Sequence, residues 1–228
     1  MAIILQIETA TKSCSVALAK NGIVLFKKEL NEQSVHASAI TIFIDEVVKD
    51  AKIDYKKIDA IAVSKGPGSY TGLRIGVSTA KGLCYALDKP LISIDTLQAM
   101  AKGFVIQNNL QNSDSLFCPM IDARRMEVYC AIFDSLGKVI SETEAKIIDS
   151  SSFGGILAER KVYFFGDGAT KCYEVFRPQP NAVIVQDFVN SAANITEIAF
   201  LKFKNKEFED AAYFEPLYLK EFIVLKKS

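Results

Sequence analysis

The sequence predicts an α/β protein made of two related lobes with mixed sheets, of which the second lobe is reduced. Each half of the chain opens with an apolar strand that ends in an acid, Glu8 in the first half and Asp122 in the second. Each acid is followed by a polar turn, a second strand and a hairpin signal at Gly22 or Gly137. A length of 228 residues, half of them hydrophobic, suits one large domain or two small ones.

The first half predicts five strands and three helices from its apolar periodicity. The strands are expected at residues 3–8, 14–20, 23–30, 58–64 and 90–94. The first helix is expected at 34–51, the second runs from a glycine-rich turn to 87, and the third covers 96–105. The polar residues 107–115 predict a loop between lobes. We therefore place the first lobe at 1–106 and the second at 107–228.

The second half repeats the opening strands and then carries shorter elements. Strands are expected at residues 116–122, 127–133, 138–148, 161–166 and 182–185, and helices at 151–159, 169–176 and 195–204. We expect a smaller second lobe, whose last residues are free to pack back on the first lobe.

Composition excludes several classes of function. A net charge of zero argues against strong unaided binding of nucleic acid, which usually needs a basic face. His36 is the only histidine, and a metal site built on two histidines cannot be formed from it, so no metal site is predicted. Five scattered cysteines without a CxxC pair indicate reduced core thiols. The start of the chain lacks the features of a signal peptide, so we expect a cytoplasmic protein without a membrane segment.

A glycine turn follows the fourth strand and is the most specific local feature. It consists of Gly66, Pro67, Gly68 and Ser69, with Thr71 just beyond, and a helix follows directly. The glycine spacing matches neither the P-loop nor GxGxxG. Ser69 or Thr71 is expected to cap the helix. Free backbone N–H groups at such a helix start favour an anion or a closely approaching partner.

The two helices of the first lobe carry more apolar surface than one core needs. The first helix has one apolar face at helical spacing and a second stripe at Val35, Ala39 and Ile42. The second helix contains Gly72 and Gly76. Glycine destabilises a helix, so two of them are best explained by another backbone that approaches them closely. Two explanations remain open for these glycines: tight packing inside the lobe, or contact with a helix of another subunit.

Two longer motifs resemble the TsaB (YeaZ) family, which is Gcp-like. They are Gly-Pro-Gly-Ser-Tyr-Thr-Gly-Leu-Arg-Ile-Gly at 66–76 and Pro-Met-Ile-Asp-Ala-Arg-Arg-Met-Glu-Val-Tyr at 119–129. Shorter similar segments lie at 4–11, 14–18, 80–86, 93–99, 165–168 and 216–220. The chain departs from the family where His36 precedes an alanine and where Lys220 replaces a frequent arginine. The resemblance covers most of the chain.

The resemblance implies a fold and a function. The fold is that of actin, Hsp70 and the sugar kinases, in which two ribonuclease-H-like lobes face a cleft. The function is that of a non-catalytic subunit, which binds and activates TsaD for threonylcarbamoyl transfer to the tRNA adenosine beside the anticodon. TsaD holds its metal through paired histidines, which this chain lacks. TsaE is a further partner, and tRNA is met only through the complex. No cofactor is assigned to this chain, and ATP or ADP with Mg²⁺ belongs to the assembled complex.

In this family the two helices of the first lobe form the subunit interface, and they are expected to pair two copies of the chain when TsaD is absent. The expected interface residues are Val35, Ala39, Ile42, Gly72, Arg74, Gly76 and Thr79. On this interpretation a large residue at position 76 should abolish pairing and leave the lobe folded.

Two enzymatic alternatives remain open. A nucleotide-hydrolysing or phosphotransferring enzyme of the actin-like fold would place Glu8 and Asp122 in the cleft, with Gly166 and Gly168 near a nucleotide. The turns after both acids lack a glycine-rich phosphate loop. A peptidase would need a nucleophile beside His36, and nothing in the sequence places one there.

Overall fold

The computed structural model describes residues 1–32 and 36–220 and builds them around two five-stranded sheets. The predicted interface residue Val35 and the side chain of His36 lie outside the described part of the chain. Within that part, no helix is long and apolar enough to cross a membrane.

The first sheet combines an antiparallel meander with two parallel strands. Its strands are β1 (Ile3–Glu8), β2 (Ser13–Lys20), β3 (Ile23–Asn31), β4 (Ala60–Gly66) and β5 (Leu91–Asp95), in the spatial order β3-β2-β1-β4-β5. β1 to β3 are antiparallel, whereas β4 and β5 run parallel to β1. Parallel neighbours need crossover connections. These are supplied by α1 (His36–Asp50) and α2 (Tyr70–Leu87).

Each strand of the second sheet has a counterpart in the first sheet. Its strands are β6 (Leu116–Asp122), β7 (Glu127–Phe133), β8 (Val139–Ile147), β9 (Val162–Phe165) and β10 (Ala182–Val185), in the order β10-β9-β6-β7-β8. Reversed, that order matches β3-β2-β1-β4-β5, so the predicted duplicated α/β architecture with mixed sheets is confirmed.

The reduction of the second lobe is greatest in its helices, although β9 and β10, with four residues each, are also shorter than β4 and β5. The connecting helices are α4 (Gly154–Glu159), α5 (Asp167–Lys171) and α6 (Tyr173–Phe176). The expected helix at 151–159 starts later because Asp149 accepts hydrogen bonds from Ser151 and Ser152, which hold a turn there. The expected helix at 169–176 is broken at Cys172, whose N–H bonds to the Ala169 carbonyl three residues back.

Alternation along β1 divides the first lobe into two cores. Leu5 and Ile7 pack with α1 and α2, whereas Ile4 points to the other face. That face is covered by α3 (Thr96–Gln107) and α7 (Thr196–Asn205). Because both faces are covered, the central strands are almost continuously apolar.

The helix α3 lies between the two sheets. Ala99 belongs to the core of the first sheet, while Leu97 and Phe104 pack with the second sheet. The ring of Phe104 stacks on Phe165 of β9 with centroids 4.2 Å apart. The helix therefore joins the two lobes through their hydrophobic cores.

Candidate partner-binding face and interlobe cleft

The glycine turn packs on the turn between β1 and β2 of its own lobe. A Cβ atom on Gly68 would lie 2.3 Å from the Ala10 carbonyl oxygen, and Gly66 has a φ of 120°. The Ser69 N–H donates to the Ala10 carbonyl at 2.7 Å. Only glycine permits so close an approach of two backbones.

Three backbone N–H groups at this turn donate hydrogen bonds inside the chain. The Gly66 N–H donates to Thr96 Oγ1 at 3.2 Å. The Ser69 side chain caps α2 by accepting from the Gly72 N–H at 3.2 Å, whereas Thr71 lies exposed in the first turn of the helix. Together with the Ser69–Ala10 bond, these contacts fix the turn against the residues after β1 and against the start of α3.

The structure corrects the surface role predicted for Gly72 and Gly76. Both glycines are buried. A Cβ atom on Gly72 would lie 2.1 Å from the Thr9 carbonyl oxygen, and one on Gly76 would lie 2.2 Å from Thr9 Oγ1. The Thr9 hydroxyl also donates to the Gly72 carbonyl at 2.8 Å. Packing inside the lobe therefore explains these glycines. A large residue at position 76 is therefore expected to destabilise the lobe, instead of leaving it folded.

The surface role predicted for Ala39 is also corrected, because its side chain is buried in the core between α1 and the first sheet. The neighbouring predictions remain open. Ile42 is 56% exposed on α1, Arg74 is exposed on α2, and Thr79 is half-buried.

The outward stripe of α2 contains residues that sequence reasoning missed. Tyr85 is 93% exposed, and Gly82 has no atom within 4 Å of an ideal Cβ position. Arg74, Ser78, Gly82 and Tyr85 recur at spacings of four, four and three, so a projection of the helix through Arg74 could have found them. Exposed tyrosines of this kind are enriched at protein interfaces.

Residues 207–220 cross this lobe as a strap, a segment without helix or regular strand and with a turn at 211–213. The Lys81 ammonium donates to the carbonyls of Ala212 and Phe214 at 3.1 and 3.0 Å. The Leu217 N–H donates to the Lys65 carbonyl at 2.7 Å, beside the glycine turn. The strap thus covers the inner side of the turn and reaches the start of α2.

At the start of α2 the strap completes a short stack of side chains. The Tyr218 ring lies 4.8 Å from the Tyr70 ring, centroid to centroid. The Arg74 guanidinium lies 5.5 Å from the centroid of the Tyr70 ring and donates to the Tyr70 hydroxyl at 3.2 Å. No local pattern in the sequence predicts this contact, because Tyr70 and Tyr218 are remote in the chain.

The acid Glu8 lies in the interior of the molecule. Its side chain is fully buried and accepts a hydrogen bond from the Ala10 N–H at 2.6 Å and another from the Ser64 hydroxyl. Burial raises the pKa of Glu8, an effect that these hydrogen bonds only partly offset. A carboxyl group of this kind is not placed to hold a hydrated Mg²⁺ ion.

The second acid, Asp122, is already paired at the end of β6. Lys171 forms an ion pair with it and also donates to the Glu127 carbonyl at 2.6 Å. Partial burial acts to raise the pKa of Asp122, but the hydrogen bonds from Lys171 and from the Arg124 N–H lower it overall. The Asp122 N–H in turn donates to Asp167 at 3.0 Å.

The glycines near Asp122 are explained by packing. A Cβ atom on Gly166 would lie 2.4 Å from the Met120 carbonyl oxygen, and one on Gly168 would lie 2.9 Å from the Met120 carbonyl carbon. Among the described residues, no group of three or more acids, cysteines or histidines is arranged to hold a metal. Gly166 and Gly168 therefore lie where the chain passes close to its own backbone.

Comparisons with known proteins agree with this architecture. The family model for TsaD, tRNA N6-adenosine threonylcarbamoyltransferase, matches residues 29–221. The structure of YeaZ from Pseudomonas aeruginosa superimposes with a TM-score of 0.82 at 23% identity, covering 96% of this chain and all of that one. A dehydratase activator from Clostridium difficile with bound ADPNP superimposes with a TM-score of 0.53 and shares the fold alone, at 11% identity.

Curated relatives give the same family. The Bacillus subtilis tRNA threonylcarbamoyladenosine biosynthesis protein TsaB is 28% identical, with 95% of this chain and 93% of that protein aligned. The Haemophilus influenzae protein of the same name is 38% identical over 128 residues, which cover 55% of this chain and 51% of the relative. The chain thus spans about half the length of some relatives and nearly all of others. The chain belongs to the TsaD family and, within it, to the TsaB (YeaZ) family.

Proposed function

We propose that this chain is the non-catalytic subunit that binds and activates a TsaD-type catalytic subunit during threonylcarbamoyl modification of tRNA. The observation that carries the proposal is the exposed surface of α1 and α2: Ile42 is exposed on α1, and Tyr85 is exposed on α2 one turn from the open Gly82. The names of the relatives supply the pathway, tRNA threonylcarbamoyladenosine biosynthesis.

The chemistry of the cleft supports a non-catalytic role. Glu8 is fully buried, which raises the pKa of its carboxyl group, and Asp122 is engaged by Lys171. Neither acid is available to position a metal or a reacting group, and His36 is the only histidine of the chain. Catalysis is therefore assigned to the partner, with ATP or ADP, Mg²⁺ and the ATPase subunit TsaE acting in the assembled complex. The alternative of an actin-like nucleotide-hydrolysing enzyme is not favoured by any contact in the cleft.

The face of α1 and α2 is also proposed to pair two copies of this chain when the catalytic subunit is absent. Such a pair must exchange for the heterodimer, so its interface should be modest in size and only partly apolar. Ile42 supplies the apolar contact, Arg74 a polar anchor and Gly82 room for a close approach. Tyr85 adds a large, rigid contact area of the kind that dominates binding energy.

The test is size exclusion with light scattering on the chain alone and on a mixture with TsaD of the same organism. We expect twice the chain mass of 25.1 kDa alone and a mixed complex after addition of TsaD. Formation of threonylcarbamoyladenosine on an unmodified tRNA transcript should then require both chains. The proposal would be refuted if the chain does not bind TsaD, or if it hydrolyses ATP with Mg²⁺ by itself.

A further inference from the structure

The turn between β6 and β7 displays two arginines on an unusual backbone. Arg124 and Arg125 are exposed and have φ angles of 72° and 49°, in the left-handed region that favours glycine and asparagine. The turn is held by the Arg124 N–H, which donates to Asp122 at 2.8 Å, and by the Ala123 N–H, which donates to the Glu127 carbonyl at 3.0 Å. Packing gives no reason for two long cationic side chains here.

A third cation reaches the same place from the first lobe. Lys12 is exposed in the turn between β1 and β2. Burial raises the pKa of Asp167, and hydrogen bonds from Lys171 and the Arg124 N–H lower that of Asp122; on both acids the charge of Lys12 acts in the lowering direction, so Lys12 lies on the same side of the molecule as the arginine turn. The two related turns of the two lobes therefore present Lys12, Arg124 and Arg125 on one rim.

The acids around this rim are already engaged. Asp122 pairs with Lys171, Glu127 pairs with Lys220, and Asp167 accepts from the Asp122 N–H. No described carboxylate lies within ion-pair distance of Lys12, Arg124 or Arg125. Although the chain has no net charge, this rim is locally cationic.

We propose that Lys12, Arg124 and Arg125 form a contact for the phosphodiester backbone of the tRNA, an inference that rests on the proposed function. The rim is open, whereas the cavity of about 600 Å³ lies at the opposite end of β1, around Ala2, Asn21 and Asp59. An open row of cations suits an extended polyanion better than an enclosed nucleotide, because each arginine can meet a separate phosphate.

The test replaces both arginines without disturbing the turn. Asparagine tolerates the left-handed region, so R124N/R125N should keep or raise the melting temperature. The matched control is K56Q/K57Q, which removes the same charge from two exposed lysines at the opposite end of the first sheet. Binding of a fluorescent, unmodified tRNA transcript is measured by anisotropy at several salt concentrations, with the complex of this chain and TsaD and with this chain alone.

The arginine variant should bind the transcript about tenfold more weakly, and its slope of log affinity against log salt should fall by about 1.5 to 2, one unit or slightly less per lost phosphate contact. K12Q should lower the slope by about one. The lysine control should match the wild type.

Equal slopes for the wild type and R124N/R125N would overturn the inference. The inference would also be overturned if R124N/R125N no longer binds TsaD but keeps its affinity for tRNA, because the turn would then be a protein contact. If the wild-type chains fail to assemble, the proposed function fails separately. The titration of this chain alone then decides the inference, and salt-independent or absent binding counts against it.

Discussion

Gly76 of α2 and Thr9 of the turn after β1 touch so closely that no side chain fits between them. An added Cβ atom would lie 2.2 Å from the Thr9 hydroxyl oxygen, which is held in place by its hydrogen bond to the Gly72 carbonyl. The helix and the strand thus share one closely packed junction. The glycine turn, α2 and β1 therefore form a single rigid unit beneath the exposed face.

Replacement of Gly76 by valine should destabilise the first lobe by about 2 to 4 kcal/mol, through overpacking and loss of the Thr9 hydrogen bond. Urea denaturation followed by circular dichroism measures this change. The control is Gly82→Ala on the same helix, where an ideal Cβ meets nothing within 4 Å. It should stabilise the chain by up to about 1 kcal/mol, because alanine is the better helix former. A G76V protein as stable as the wild type would contradict the packing argument.

The sequence was sufficient for the fold because its strands and turns carry local signals. The acid-ended strands, the hairpin glycines and the turn at Gly66 predicted two related α/β halves with mixed sheets, although not the order of the strands within each sheet. The sequence did not show whether Gly72 and Gly76 face the core or the solvent, because glycine has no side chain whose polarity would indicate either. The strap escaped prediction for another reason: the contact of Leu217 with Lys65 joins segments that are remote in the sequence.

Replacement of Ile42 by glutamate should weaken both self-association and binding to TsaD. The side chain is 56% exposed on α1, so the change should leave the fold intact, while a charge within an apolar contact should cost about 2 kcal/mol or more, at least thirtyfold in affinity. Light scattering over a range of concentrations measures the shift. Ile23→Glu is the control, because Ile23 is 68% exposed on β3, away from this face. Equal effects of the two variants would place the interface elsewhere.

The strap should be coupled to α2 through Tyr218 and Tyr70. A double-mutant cycle with Y70A and Y218A should give an interaction free energy of about 0.5 to 1.5 kcal/mol, as expected for paired aromatic rings. The measurement is the free energy of unfolding of the four proteins. Tyr213 is 84% exposed in the same strap, so Y213A should change stability by no more than about 0.5 kcal/mol. Additive effects of Y70A and Y218A would mean that the two rings do not interact.

Glu8 should make the protein less stable as the pH rises. Its pKa is raised by burial, so the folded state keeps a proton that the unfolded state loses. The stability that depends on this proton is fully present below the unfolded pKa of about 4.5 and is lost as the pH rises from there to the folded pKa. Glu8→Gln imitates the protonated form, and its amide can donate to the Ser64 hydroxyl while its carbonyl accepts from Ala10.

The E8Q variant should therefore be more stable than the wild type at neutral pH, and the difference should vanish near pH 4. Urea denaturation at several pH values measures both curves. Asp122→Asn is the control of opposite sign, because the pKa of Asp122 is lowered in the fold by Lys171 and the Arg124 N–H. The D122N variant should be less stable than the wild type at neutral pH, and this difference should disappear as the pH falls through the lowered pKa of Asp122. Parallel curves for E8Q and the wild type would show that Glu8 is ionised inside the fold, and the case against a metal at this carboxylate would then fail.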